Sequence, residues 1–247
     1  MINFFRKKRK TLADEDNTLK YARYAVGEIV LVVIGILIAL SINNWNENRK
    51  DKIIERQIIS GLHLEFIQNK IIVNEILEVI DNSSNACYKI MGLMNKDAMH
   101  LSKYKTDSLI YMSIEYKHFN PSNNILFEVL QTGNLKIISN KALKDNLFEW
   151  SRELENNKST FKIYGKWIED GILPYYSKNI ALKNIDKYGP LAWKKKSEFD
   201  EGIASIFKDR EFENIIDNNL YHLSTLKNEY SNLKTIIEEI IDKTNSF

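Results

Sequence analysis

Between Ala25 and Ile42 the chain reads AVGEIVLVVIGILIALSI, eighteen residues of which fourteen are apolar. As an α-helix this run is about 27 Å long, close to the hydrocarbon thickness of a bilayer. From Ile29 to Trp45 there is no charge, so the polar stripe of an amphipathic core helix is missing. Tyr24 and Trp45 flank the run, as expected of amphipathic rings at the two interfaces. A cleaved signal peptide could use Ala39 and Ser41 as its small-residue site. Against that, the region before the run is long and carries Asp14, Glu15 and Asp16, unlike a short basic leader. The run is therefore expected to be an uncleaved membrane span.

The charge pattern orients it. The net charge of +2 is an average: residues 1–24 hold seven Lys/Arg and three acids, and the rest of the chain holds 28 against 30. Arg6, Lys7, Lys8, Arg9, Lys10, Lys20 and Arg23 precede the span, whereas NNWNENRKDK with mixed signs follows it. The positive-inside bias then predicts a cytoplasmic tail (1–24), a span (25–42) and an extracytoplasmic domain (43–247). Arg6–Lys10, with Phe4 and Phe5, are expected on anionic headgroups, each base adding about 1 kcal/mol. Five basic residues are too small a footprint for nucleic acid. Glu28 lies one turn inside the span, either on an ion path or as an interfacial carboxylate reaching back to Arg23 and water. Gly27, Gly35 and Ala39 share a helix face that would admit a second helix, a route to a homo-oligomer, although bulky Leu31 interrupts it.

Beyond the span, scarce turn formers (nine Gly and three Pro in 247 residues) point to an all-α bundle. A disulfide framework is excluded by the single Cys87. Ile54, Ile58, Leu62, Phe66, Val73, Ile76, Leu77 and Ile80 fall in one helical stripe, interrupted at Asn69. The span is thus predicted to continue outward as a helix to residue 80, bending at Gly61 or Asn43-Asn44, with Asp81–Asn85 as the closing turn. At the other end Ile216, Leu223, Tyr230 and Ile237 recur every seven residues, interleaved with Leu226, Leu233 and Ile240. That is a coiled-coil-like seam, suited to an antiparallel partner in the same chain or to a second copy. Shorter helices are expected over Ser84–Met94 and Thr106–Tyr116, from Ser122 to a left-handed Gly133, and from a cap at Ser139 or Asn140 to Trp150. Leu135–Ile138 reads as a connector, and Gly165, Gly171 and Pro174 as breaks.

Chemistry is sparse. His63, His100, His118 and His222 show no paired-ligand spacing, and there is no nucleophile elbow, phosphate loop or dinucleotide fingerprint. Cys87 reads as a small buried hydrophobe, and Glu169-Asp170 as solvated acids. No catalytic, metal or cofactor residue is expected. Trp150, Trp167, Trp193 and Tyr175-Tyr176 are read as core packing more than as a binding surface.

The segments LKYARYAVGEIVLVVIGILIALSINNWNENRK and FNPSNNILFEVLQTGNLKIISNKAL resemble a family of uncharacterised single-span envelope proteins of Bacteroidetes-type Gram-negative bacteria, catalogued as a domain of unknown function. The resemblance implies an inner-membrane anchor and a helical periplasmic domain, and it brings no activity. The expected role is a non-enzymatic helical scaffold binding an unknown envelope protein. Its rivals are a sensor passing a periplasmic signal to a partner, and a periplasmic hydrolase with a composite site.

Overall fold

The computed structural model describes residues 18–199 and 202–245, so the basic run Arg6–Lys10 lies outside the described residues. All described regular structure is helical. The helices are α1 (Thr18–Leu93), α2 (Ala98–Leu101), α3 (Thr106–Ser113), α4 (Asn124–Gln131), α5 (Lys141–Trp167), α6 (Leu173–Asn179), α7 (Leu182–Asp186) and α8 (Arg210–Thr244). Short 3₁₀ turns occupy Asn134–Lys136 and Ile203–Lys208. The chain divides into two compact units, Met1–Arg56 and Gln57–Phe247.

In the first unit the apolar run of α1 is exposed from Ile29 to Trp45. Its helix is the one helix among the described residues long and apolar enough to cross a membrane by length and composition. Exposed side chains such as Ile29, Leu31, Leu37 and Ile42 would be costly in water at about 25 cal/mol per Å². A hydrocarbon solvent removes that cost.

In the second unit α8 runs antiparallel to α1. His63 Nδ1 meets Thr244 Oγ1 at 3.0 Å, Lys70 pairs with Glu238 at 2.9 Å, Asp81 with Lys227 at 2.6 Å, and Cys87 Sγ accepts from Asn219 Nδ2 at 3.5 Å. Helix α5 lies along another face of α8, also antiparallel. Asn146 donates to Glu239 at 2.7 Å, Thr160 to Glu229 at 2.7 Å, and Tyr164 and Trp167 both pack on His222. The seam residues Ile216, Leu223, Leu226, Tyr230, Leu233, Ile237 and Ile240 are all buried, each worth roughly 1.5–3 kcal/mol for an aliphatic side chain. The ion pairs on α1 and α8 are half-exposed and fix register more than they add stability. The seam is therefore occupied within one chain.

Three expectations need correction. Asp81–Asn85 does not end α1, which continues to Leu93 and absorbs the separate helix expected over Ser84–Met94. The polar cluster is satisfied in helical form: Ser84 Oγ donates to the Ile80 carbonyl at 2.8 Å, Ser83 Oγ to that of Glu115 at 2.8 Å, and Asp81 pairs with Lys227. Helix α1 passes through Asn43-Asn44 and Gly61 as one continuous helix. Gly61 serves close packing, since a Cβ there would lie 3.3 Å from Ile125 Cγ2. The helix capped by Asn140, whose Oδ1 accepts from Leu143 N–H at 3.1 Å, does not stop at Trp150 and passes Gly165 to Trp167. A π turn at Ile168–Ile172 then joins it to α6. Widening the backbone there accommodates Pro174 at the start of α6, which has no N–H to give. Gly171 sits in that turn, where a Cβ would approach the Trp167 ring to 2.5 Å.

Finally, α4 begins at Asn124 rather than Ser122, and Asn123 makes no side-chain cap. The cap comes from α1 instead. Buried Glu65 accepts from Ser122 Oγ at 3.0 Å and from the N–H groups of Ile125 and Leu126 at 3.1 and 3.2 Å. Asn69 donates to the Ser122 carbonyl and accepts from its N–H, both at 2.8 Å. Trp150 Nε1 donates to Asn123 Oδ1 at 2.9 Å, and Phe119 packs edge-on against Trp150 and Tyr230. The FNPSNN segment is thus a clasp joining α1, α5 and α8, and Asn69 is one of its jaws. Gly133 adopts the left-handed conformation expected of it, φ 70°.

Candidate functional site at the end of the bundle

One end of the second unit is built from loops. Helix α1 stops at Leu93, the chain turns through Asn95 at φ 58°, and Asn95 N–H donates to the Phe207 carbonyl at 2.7 Å. Asp209 caps α8 by accepting from Glu211 N–H at 2.9 Å, and Tyr175 O–H donates to its other oxygen at 2.6 Å. That phenol bond holds the Asp209 carboxyl below its ordinary range, while burial, with the same bond, pushes the Tyr175 hydroxyl up.

Between these anchors lies a cavity of about 320 Å³ whose lining includes Asp107, Ser177, Asn179, Asn184, Ser197 and Ser205. A neighbouring cleft of about 330 Å³ shares Asp107 and adds Tyr104, Lys105 and Lys196. Among the described residues Asp107 is the one acid in either lining, and neither lining includes a described histidine or cysteine. Lys187 pairs with Asp107 at 3.5 Å. The hydroxyls, amides, lysines and paired carboxylate of these linings can hydrogen-bond a polar ligand.

The loop over 188–199 forms the outer wall of this end and is pinned at several points. Asn184 Oδ1 accepts from Ser197 N–H at 2.8 Å. Gly189 lies so close to Tyr111 that a Cβ would fall 2.9 Å from its ring. Ala192 is held left-handed at φ 45°, its N–H donating to the Gly189 carbonyl at 3.2 Å. Lys183 Nζ stands 5.4 Å from the centre of the Trp193 ring. Of the aromatics between 150 and 193, Trp150, Tyr175 and Tyr176 are core, Trp167 is half-buried, and Trp193 is exposed. Trp193 therefore departs from the core reading.

The remaining singled-out residues do not converge. His63 bonds Thr244, His100 packs on Tyr104, His118 on Phe161, and His222 stacks on Trp167. Burial lowers the pKa of His222. Glu169 and Asp170 are exposed. Among the described residues no group of three His, Cys, Asp or Glu side chains could hold a metal ion. Cys87 is fully buried, and burial pushes its thiol up to about 11 although Asn219 donates to it. A thiol so placed is a poor source of thiolate. Asn219 also donates to the Ser113 carbonyl at 2.7 Å, and Ser113 Oγ lies 3.5 Å from Tyr176 Oη. This buried polar knot was missed from sequence, although Asn219 extends the ladder Leu226, Leu233, Ile240 by one repeat. On the span, Arg23 is exposed and Glu28 half-buried, while Gly27, Gly35 and Ala39 are exposed, with open space where a Cβ would stand on either glycine.

The fold and its exposed apolar helix define a membrane-associated, all-helical protein. A family described as "Family of unknown function (DUF6090)" matches residues 28–124, from the span to the first residue of α4. The Glu65–Ser122 clasp lies inside that stretch. The chain is also similar to the RNA-directed RNA polymerase L of Sendai virus strains Z and Enders, each 30% identical over 115 residues, which is 47% of this chain and 5% of the polymerase. The chain thus spans about a twentieth of the length of these curated relatives, and so short a stretch assigns it neither substrate nor partner. No solved structure matches the chain.

Proposed function

We propose that the protein is a non-enzymatic helical interaction module held in the bacterial inner membrane by residues 25–42, with its basic tail cytoplasmic and its bundle periplasmic. One observation carries this reading: a helix whose uncharged apolar run is exposed from Ile29 to Trp45 goes on to contribute a buried stripe to a core. The exposed run calls for a hydrocarbon solvent, and the buried stripe beyond it supports an aqueous setting for the bundle. The charge bias across the span supports the orientation. The buried, high-pKa thiol and the dispersed histidines support a binding role over catalysis. Glu28 fits the interfacial reading better than an ion path, because it lies one turn from the end of the run.

Thiol labelling tests the topology. In a Cys87→Ser background, a cysteine at exposed Tyr221 is expected to react with a membrane-impermeant maleimide once the outer membrane is permeabilised. A cysteine at Thr11 is expected to react only after the inner membrane is broken. The reverse pattern, or recovery of the bundle as a soluble fragment cleaved after the span, would refute the reading.

A further inference from the structure

We propose that the loop over 188–199 is a docking surface for a lipid bilayer carrying anionic headgroups. Its apolar side chains face solvent although the backbone beneath them is pinned: Leu191 is 60% exposed, Trp193 47% and Phe199 90%. Directly after Trp193 come Lys194, Lys195 and Lys196, all exposed, and none makes an ion pair within the described residues. From 183 to 199 there are five lysines and two acids (Asp186 and Glu198), a local charge of +3, with Asp200 and Glu201 following. Asp107, the acid facing this end from α3, is already taken by Lys187.

The residue types favour lipid over an acidic protein. Every basic residue between Arg152 and Arg210 is lysine. Arginine is the residue that reads a protein carboxylate through a two-pronged fork, whereas lysine is a flexible point charge that suits a fluid layer of phosphates. An indole and an aliphatic side chain beside such lysines match the boundary between headgroup and acyl chain. Lys183 over the Trp193 ring holds the indole without covering it. Three large, exposed apolar side chains within nine residues of an ordered loop favour an interaction surface over scattered surface residues. In the docked state Leu191, Trp193 and Phe199 enter the boundary layer, and Lys194–Lys196 pair with phosphates.

The test uses the full chain, reconstituted through its span into phosphatidylcholine nanodiscs and floated with separate vesicles. Because Arg6–Lys10 would themselves attract anionic lipid, these five are first changed to serine. The tail-neutralised chain is expected to be captured by vesicles containing phosphatidylglycerol and not by phosphatidylcholine vesicles. Adding Lys194→Ser, Lys195→Ser and Lys196→Ser should lower the partition about tenfold or more. Leu191→Ser with Phe199→Ser should lower it as well, with the helical circular dichroism unchanged. The proposal is overturned by absence of capture, by equal capture on both vesicle types, by capture that survives the lysine substitutions, or by capture that needs an added acidic protein.

Discussion

Replacing Glu65 with alanine should destabilise the bundle far more than loss of one acid from a helix usually does. Helix α4 has no cap of its own, since Asn123 makes no side-chain bond to its first turn. Its Ile125 and Leu126 N–H groups, with the Ser122 hydroxyl, depend on the Glu65 carboxylate of α1, which is only 6% exposed. Alanine leaves two buried backbone donors without an acceptor, at about 1–3 kcal/mol each. The sum is about 2–6 kcal/mol. For a chain of this size each kcal/mol lowers the melting point by about 2–4 °C, so a fall of about 4–24 °C is expected. Glu65→Gln keeps one acceptor oxygen and turns an N–H pair toward the other donor, so about half that loss should remain. Thermal unfolding of the full chain in detergent, followed by tryptophan fluorescence, reads this directly, because Trp150 bonds Asn123 beside the clasp. A Glu65→Ala melting point within about 1 °C of the parent chain would refute the capping account.

Gly171→Val should cost about 1–3 kcal/mol, since its Cβ would overlap the Trp167 ring; an unchanged melting point would show that the π turn opens freely. Cys87 should resist maleimide in the folded chain at pH 8 and react once urea unfolds it, because its thiol is buried and pushed up to about 11. Rapid labelling without denaturant would contradict that. His222 is held neutral by burial, its folded pKa below the unfolded value of 6.5. Its contribution is fully present above about pH 6.5 and is lost as the pH falls below that, where the unfolded chain takes the proton first. Urea midpoints measured from pH 8 to 5 should therefore fall in the parent chain and fall less in His222→Phe, and parallel slopes would sink the claim.

What was legible in the sequence was whatever repeats or acts locally. The span announces itself by eighteen residues of composition, the α8 seam by its spacing of seven, and Asn140 and Gly133 by cap chemistry that needs only their neighbours. Legibility failed where a distant partner decides. Asp81–Asn85 has the composition of a turn, yet Ser83 finds the Glu115 carbonyl and Asp81 finds Lys227, so tertiary bonds keep the segment helical. Asn69 looked like a defect in an apolar stripe, and its fitness for the Ser122 backbone emerges only once residues 53 positions apart are brought together. Ser122 was expected to cap a helix and instead donates to Glu65. The loop around Trp193 was hidden for a different reason: aromatic content alone does not say which rings the packing leaves outside.

The claim at the centre of this account is that the helix bearing the span is closed by its own C-terminal helix into one self-contained module. Its ion pairs allow a direct test, because Lys70–Glu238 and Asp81–Lys227 lie 2.9 and 2.6 Å apart and are half-exposed. Full chains grown in light and in heavy nitrogen are mixed, unfolded and refolded together, then joined by a zero-length carbodiimide and digested. If the module closes on itself, the Lys70–Glu238 and Asp81–Lys227 peptides will be wholly light or wholly heavy. Mixed-isotope peptides making up about half of the crosslinks, the proportion expected of freely exchanged swapped or coiled-coil dimers, would contradict it.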